Sequence, residues 1–233
     1  MKLKPIVFAL ASLTTTAVFA ADAASDLTNN QQMVSYSIGV DLGRNMAKQK
    51  LDLDINSLAS GLKDGFAGSQ LKLSDDKMKE VLMNFQKEFM SKRNAEVQEK
   101  GQQNLKSGQD FLANNKKQAG VVTLPDGLQY KVMTMGTGPK PTSTDTVKVD
   151  YTGTLINGTV FDSSEKQGQP ISFKVNQVIK GWTEILQLMP VGSTFQVFIP
   201  SDLAYGAQAV GNVIGPNEAL IFTIHLISIE KAN

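Results

Sequence analysis

An α+β chain, with its helices first and its strands last, is predicted by three observations. From about Asn30 to Phe89 apolar residues recur at helical spacing. After Gly120 the apolar repeat changes to every second residue and turn residues multiply. One short apolar run, Val178 to Leu188, carries the only tryptophan inside that strand-rich half. The 233 residues have room for one or two domains, and 41% hydrophobic with 19% charged residues is a globular composition. A net charge of +1 gives no electrostatic footprint for nucleic acid. With no cysteine in the chain, disulfides, thiolate zinc sites and cysteine nucleophiles are excluded.

Residues 1–20 read as a signal peptide. Lys2 and Lys4 form the charged start, Ile6 to Leu13 is an apolar run too short to span a membrane, and Val18 and Ala20 make a small-residue cleavage site. The mature chain is expected to begin at Ala21, with Ala24 as the second choice. An uncleaved anchor is disfavoured because no stop-transfer pattern follows. The expected location is the periplasm or cell surface of a Gram-negative bacterium.

Residues 21–73 are expected to form a helical domain. Val34, Ile38, Leu42 and Met46 repeat every fourth residue beside a stripe of small side chains, Ser35, Gly39 and Gly43. Leu58, Leu62 and Phe66 repeat the design, flanked by Gly61, Gly65 and Gly68. Glycine inside a helix costs about 1 kcal/mol relative to alanine, so close approach of another helix is the expected compensation. Two short helices enclose a poor core. Pairing of two copies through residues 30–89 is therefore favoured over a hairpin that packs only on itself.

A long helix is expected over 74–118. Ser74 is a good N-cap, Asp75 and Asp76 suit the first turn, and Met78, Val81, Leu82, Phe85 and Phe89 give one apolar face. Beyond Ser91 that face fades, which suits a solvent-exposed bridge between domains or a flexible linker. As a rod, Ser74 to Asn115 would be on the order of 60 Å long. Gly101 and Gly108 are the places where bending is expected.

From 123 to 233 the pattern is that of an antiparallel sheet. Pro125-Asp126-Gly127 makes a turn into a strand where Leu128, Tyr130 and Val132 alternate with Gln129 and Lys131. Val147, Val149, Tyr151, Gly153 and Leu155 share one face of the next strand, which returns through the Asn157-Gly158 hairpin turn to Val160 and Phe161. Further strands are expected at Ile171 to Val175, Thr194 to Ile199 and Leu220 to Ile229. Trp182, Ile185, Leu186 and Met189 put an apolar face on the one short helix, which Pro190 and Gly192 end. So short a helix is stable only on a surface, here the buried face of the sheet.

Five blocks now stand in order: Val147-x-Val149-x-Tyr151-x-Gly153-x-Leu155; Phe161-Asp162-Ser163-Ser164; Val178-Ile179-x-Gly181-Trp182; Ile199-Pro200 with Leu203-Ala204-Tyr205-Gly206; and Ile214-x-Pro216-Asn217-x-x-Leu220-x-Phe222. Over about Thr123 to Lys231 they resemble the FK506-binding-protein (FKBP) family of peptidyl-prolyl cis-trans isomerases. The whole chain resembles that family's macrophage infectivity potentiator subgroup. The resemblance implies a half-barrel of strands wrapped around the helix bearing Trp182, a homodimer formed by the N-terminal half, and a contribution to infection. It implies Trp182 as the floor of a proline pocket, Tyr151, Phe161, Phe173 and Phe222 as its walls, and Val178 and Ile179 as its rim. The Ile179 amide and the Tyr205 hydroxyl are implied as donors to the substrate carbonyl, Asp162 as the one charged group, and Ile214 as a contact to the bound chain. Where many single-domain members have a histidine in the loop after Tyr205, this chain has Val210.

These residue types suit the reaction. Rotation about an X-Pro bond crosses a barrier of about 18–20 kcal/mol set by amide resonance, and no covalent bond breaks. An apolar socket with one or two donors and a clamp on the flanking chain is sufficient. No cofactor and no metal are expected, and the only histidine, His225, reads as a surface residue on the last strand. Taken singly, Tyr151, Phe173 and Phe222 read as sheet core and Asp162 as a turn cap for Ser163 and Ser164. The expected partners are proline-containing peptides and unfolded or extracytoplasmic proteins, with FK506- and rapamycin-type macrolides as inhibitors. A different reading is a dimeric holdase chaperone or surface binding protein in which isomerisation is secondary, motivated by the separated halves and the methionine-rich helices. Residues 123–233 alone are expected to be monomeric and folded, with activity on peptides near that of the intact chain.

Overall fold

The computed structural model describes residues 27–230, which form two compact units divided between Ser74 and Asp75. The expected signal and its cleavage site lie outside the described residues.

In the first unit, α1 (Asn30–Lys48) and α2 (Ile55–Ala67) are each set by local capping. The Asn29 side chain accepts from the Gln32 amide at 2.9 Å, and the Gln32 side chain accepts from the Asn29 amide at 3.2 Å. The Asp54 carboxylate accepts from the Ser57 amide at 2.6 Å to open α2, and Gly68, with φ of 61°, closes it. Neither helix has a buried residue: Ile38, Leu62 and Phe66 are 64%, 68% and 94% exposed. A Cβ placed on Gly39, Gly43, Gly61 or Gly65 would meet nothing within 4 Å. Both stripes of small residues are open in a single chain.

The second unit begins with α3 (Asp75–Asn115), which runs unbroken for 41 residues. Seven strands follow: β1 (Val121–Thr123), β2 (Gln129–Thr134), β3 (Thr146–Leu155), β4 (Val160–Ser163), β5 (Ile171–Lys174), β6 (Thr194–Ile199) and β7 (Leu220–Glu230). They pair antiparallel in the order β1-β2-β6-β7-β3-β4, and β5 also pairs with β3. The period-two reading of β3 holds, since Val147, Val149, Tyr151, Gly153 and Leu155 are all buried. With Phe195, Val197 and Ile199 of β6 and Leu220, Phe222, Ile224 and Leu226 of β7 they make one concave apolar face. α4 (Lys180–Leu188) lies on it through Trp182, Ile185 and Leu186. Full burial of each large apolar side chain is worth about 1.5–3 kcal/mol, enough to hold a nine-residue helix that would not form alone.

Two expectations need correction. α3 continues through Gly101 and Gly108, the expected weak points, without a break. They are its only buried residues, and they touch the segment before β7: a Cβ on Gly108 would sit 3.0 Å from the Ala219 Cβ. Nor is the sheet covered on one face alone. Gln129, expected on the solvent side, is 3% exposed because its amide donates to the Leu112 carbonyl at 3.0 Å and accepts from Asn115 at 2.9 Å. Phe198, 6% exposed, meets Phe111 with ring centroids 6.0 Å apart. The C-terminal turns of α3 are therefore part of the second unit's packing.

Candidate active site

Strand pairing brings the aromatic residues together. Phe222 on β7 stands opposite Gly153 on β3, Asp162 on β4 stands opposite the same Gly153, and Phe173 on β5 stands opposite Val147. Glycine is required at 153, since a Cβ there would lie 2.6 Å from Phe161 Cζ and 2.8 Å from Phe222 Cε1. Trp182 rises from α4 and is met edge-on by three rings. Tyr151 is 5.2 Å away at 89°, Phe222 5.3 Å at 83° and Phe173 5.6 Å at 77°. Phe161 meets Phe222 at 5.5 Å and 84°. These edge-to-face pairs place positive ring edges against negative faces and lock the walls to one another.

The cavity they enclose has a volume of about 410 Å³ and is lined by Tyr151, Phe161, Asp162, Phe173, Gln177, Val178, Ile179, Trp182, Tyr205 and Phe222. Asp162 supplies its only carboxylate. One carboxylate oxygen accepts from the Tyr151 hydroxyl at 2.6 Å, and the other accepts from the Ser163 amide at 2.9 Å. The turn-cap role and the pocket role therefore coexist in one side chain. Burial, the bond to Asp162 and the charge of Asp162 raise the Tyr151 hydroxyl far above the usual tyrosine range. Burial, and then the charge of Asp162, also raise the Tyr205 hydroxyl. Both phenols therefore keep their protons at neutral pH and serve as hydrogen-bond donors. Among the described residues the Tyr205 hydroxyl and the Ile179 amide have no hydrogen-bond partner, while the Ile179 carbonyl accepts from Trp182 and Thr183 at 2.9 and 3.1 Å.

Of the expected site residues, Ile214 alone does not line the cavity. It is 7% exposed, packed in the core, and held by paired backbone bonds to Val210 at 2.9 and 3.3 Å. Gln177 was not expected. It reads as a polar turn residue, and only the turn ahead of α4 brings it to the rim. A larger concavity of about 470 Å³ lies on the outer face of β3 and β7, lined by Asp150, Glu165 and His225 among others. It lacks the ring of aromatic walls that makes the smaller cavity a socket for an apolar group.

Comparison with known proteins points the same way. Residues 137–227 match the family described as FKBP-type peptidyl-prolyl cis-trans isomerase, and residues 31–132 match the domain amino terminal to that isomerase. The chain is 54% identical over 232 residues to outer membrane protein MIP of Legionella longbeachae, covering 100% of both chains. It is 42% identical over 211 residues to peptidyl-prolyl cis-trans isomerase Mip of Coxiella burnetii, covering 91% of this chain and 92% of that protein. The crystal structure of FkpA from Escherichia coli superposes with a TM-score of 0.71 at 35% identity, covering 89% of this chain and 100% of that one.

Proposed function

The chain belongs to the family of FKBP-type peptidyl-prolyl cis-trans isomerases, and from that premise we propose that the cavity floored by Trp182 is where it turns X-Pro bonds. The observation that carries this reading is the ring of edge-on aromatic contacts around Trp182 beside one carboxylate whose oxygens are already engaged. A proline ring fits such a socket. A twisted amide has lost its resonance and is less dipolar than the planar one, so a dry apolar cavity penalises it less than the ground state. The Ile179 amide and the Tyr205 hydroxyl are donors for the carbonyl oxygens of the bound chain, where charge shifts during rotation. Asp162 serves here by accepting from the Tyr151 hydroxyl, which fixes that wall of the cavity.

Exchange NMR on short proline peptides tests the reading. Acceleration of cis-trans interconversion, abolished by an FK506-type macrolide, is the expected result. A rate equal to the uncatalysed one refutes it.

The open apolar faces of α1 and α2 support a homodimer through residues 30–89. The same faces, with Met33 of α1 48% exposed, support a second reading in which the first unit holds unfolded clients. An Asp162→Leu chain that loses isomerase activity yet still suppresses aggregation of a proline-free client would establish that binding role. Export is supported by the outer-membrane name of the Legionella longbeachae relative. Among the described residues no helix is long and apolar enough to cross a membrane.

A further inference from the structure

The contact between α3 and the loop ahead of β7 is built for more than covering a sheet. Gly101, Asn104 and Gly108 fall on one stripe of α3, at helical spacings of three and four. The Asn104 side chain donates to the Pro216 carbonyl at 2.9 Å, and the Asn217 side chain donates back to the Gly101 carbonyl at 3.2 Å. A Cβ at Gly101 would lie 3.1 Å from that Asn217 amide nitrogen, so glycine permits the approach. Asn217 itself has φ of 57°, a left-handed conformation that asparagine tolerates better than most residues. Its backbone amide donates to the Gly206 carbonyl at 2.7 Å, and the Gly206 amide donates to the Ser201 carbonyl at 2.8 Å. Gly206 directly follows Tyr205, which lines the cavity. The connection between β6 and β7 is long, and its regular structure consists of one 3-10 turn (Ser201–Leu203) and the Val210–Ile214 bridge.

We propose that α3 is part of the isomerase machinery, with Asn104 and Asn217 as positioning residues that pin this connection and so hold the Tyr205 hydroxyl at the cavity mouth. This rests on the reading of Tyr205 as a donor at the site. It makes the connecting helix a determinant of activity on the smallest substrates. A domain cut at residue 123 would lose the pin, so the near-intact peptide activity expected of that fragment should fail.

A double-mutant cycle in the full chain tests the proposal, with kcat/KM on a short proline peptide as the readout. Asn217→Gly keeps the left-handed backbone and removes one bond, and Asn104→Leu removes the other from the helix side. Each should lower kcat/KM by about two- to fivefold, bounded by the contribution of the Tyr205 donor through which it acts. In a Tyr205→Phe background both effects should vanish, which a merely destabilising change would not do. Amide exchange at Gly206 and Asn217 should quicken in the Asn104→Leu chain. If Tyr205→Phe lowers activity while the asparagine variants do not, or if the losses add independently, the pin is refuted and the site stands. If Tyr205→Phe is itself without effect, the reading of Tyr205 falls and the pin falls with it.

Discussion

Ile38→Asp probes the architecture most directly. Ile38 lies mid-way along α1, is 64% exposed in a single chain, and belongs to the repeat Val34, Ile38, Leu42. Full burial of an isoleucine is worth about 1.5–3 kcal/mol, so covering the exposed two-thirds gives about 1–2 kcal/mol per copy and about 2–4 kcal/mol per two-fold dimer. Losing that contact should raise the dimer dissociation constant by about 30-fold to several hundredfold, and desolvating the new carboxylate adds to this. Aspartate and isoleucine differ little in helix propensity, so α1 itself should persist. In an isolated monomer the same change at an exposed position would alter stability by only about 0.5 kcal/mol. Sedimentation velocity across a dilution series separates the cases. A parent chain that is monomeric at micromolar concentration, or an Ile38→Asp chain that associates as tightly as the parent, refutes the interface.

Three other outcomes follow from the second unit. Tyr205→Phe should lower kcat/KM by about 1 kcal/mol of transition-state stabilisation, while Trp182→Ala, which removes the ring met by three others, should cost more. Equal effects would mean the floor is wrongly assigned. Gly153→Ala should force Phe161 and Phe222 apart and weaken peptide turnover and macrolide binding together. Unchanged macrolide affinity by calorimetry would show that those walls do not shape the pocket. On α4, a hydrogen bond to Asp126, then burial, then the charge of Asp126 push the Glu184 carboxyl up to about 7. The folded chain binds that proton more tightly than the unfolded one, so its stabilisation is present in acid and is lost as pH rises from about 4.5 through 7. Asp126→Asn should flatten that part of a urea-denaturation pH profile, and an unaltered slope would show that the pair is not coupled.

Whatever is written in local repeats can be read from the chain without its fold. The alternation at Val147 to Leu155 assigns the buried face of β3, and the apolar face of residues 180–188 shows that α4 must lie on a surface. The sequence also placed most of the cavity lining, because the family's five blocks put those residues at recognisable spacings. The N-terminal half of α3 was equally legible from its apolar repeat and acidic first turn. What α3 does at its other end depends on contacts between segments far apart in the chain. A polar helix with two glycines looks like a weak rod, because glycine has no side chain to reveal a contact and asparagine reads as solvent-facing. The partner surface at Pro216, Asn217 and Ala219 is more than a hundred residues away, and no periodicity within either segment reports on the other. Gln177 escaped for the same reason. Whether a turn residue faces a cavity or the core is set by what packs behind it, and Gln177 lines the cavity.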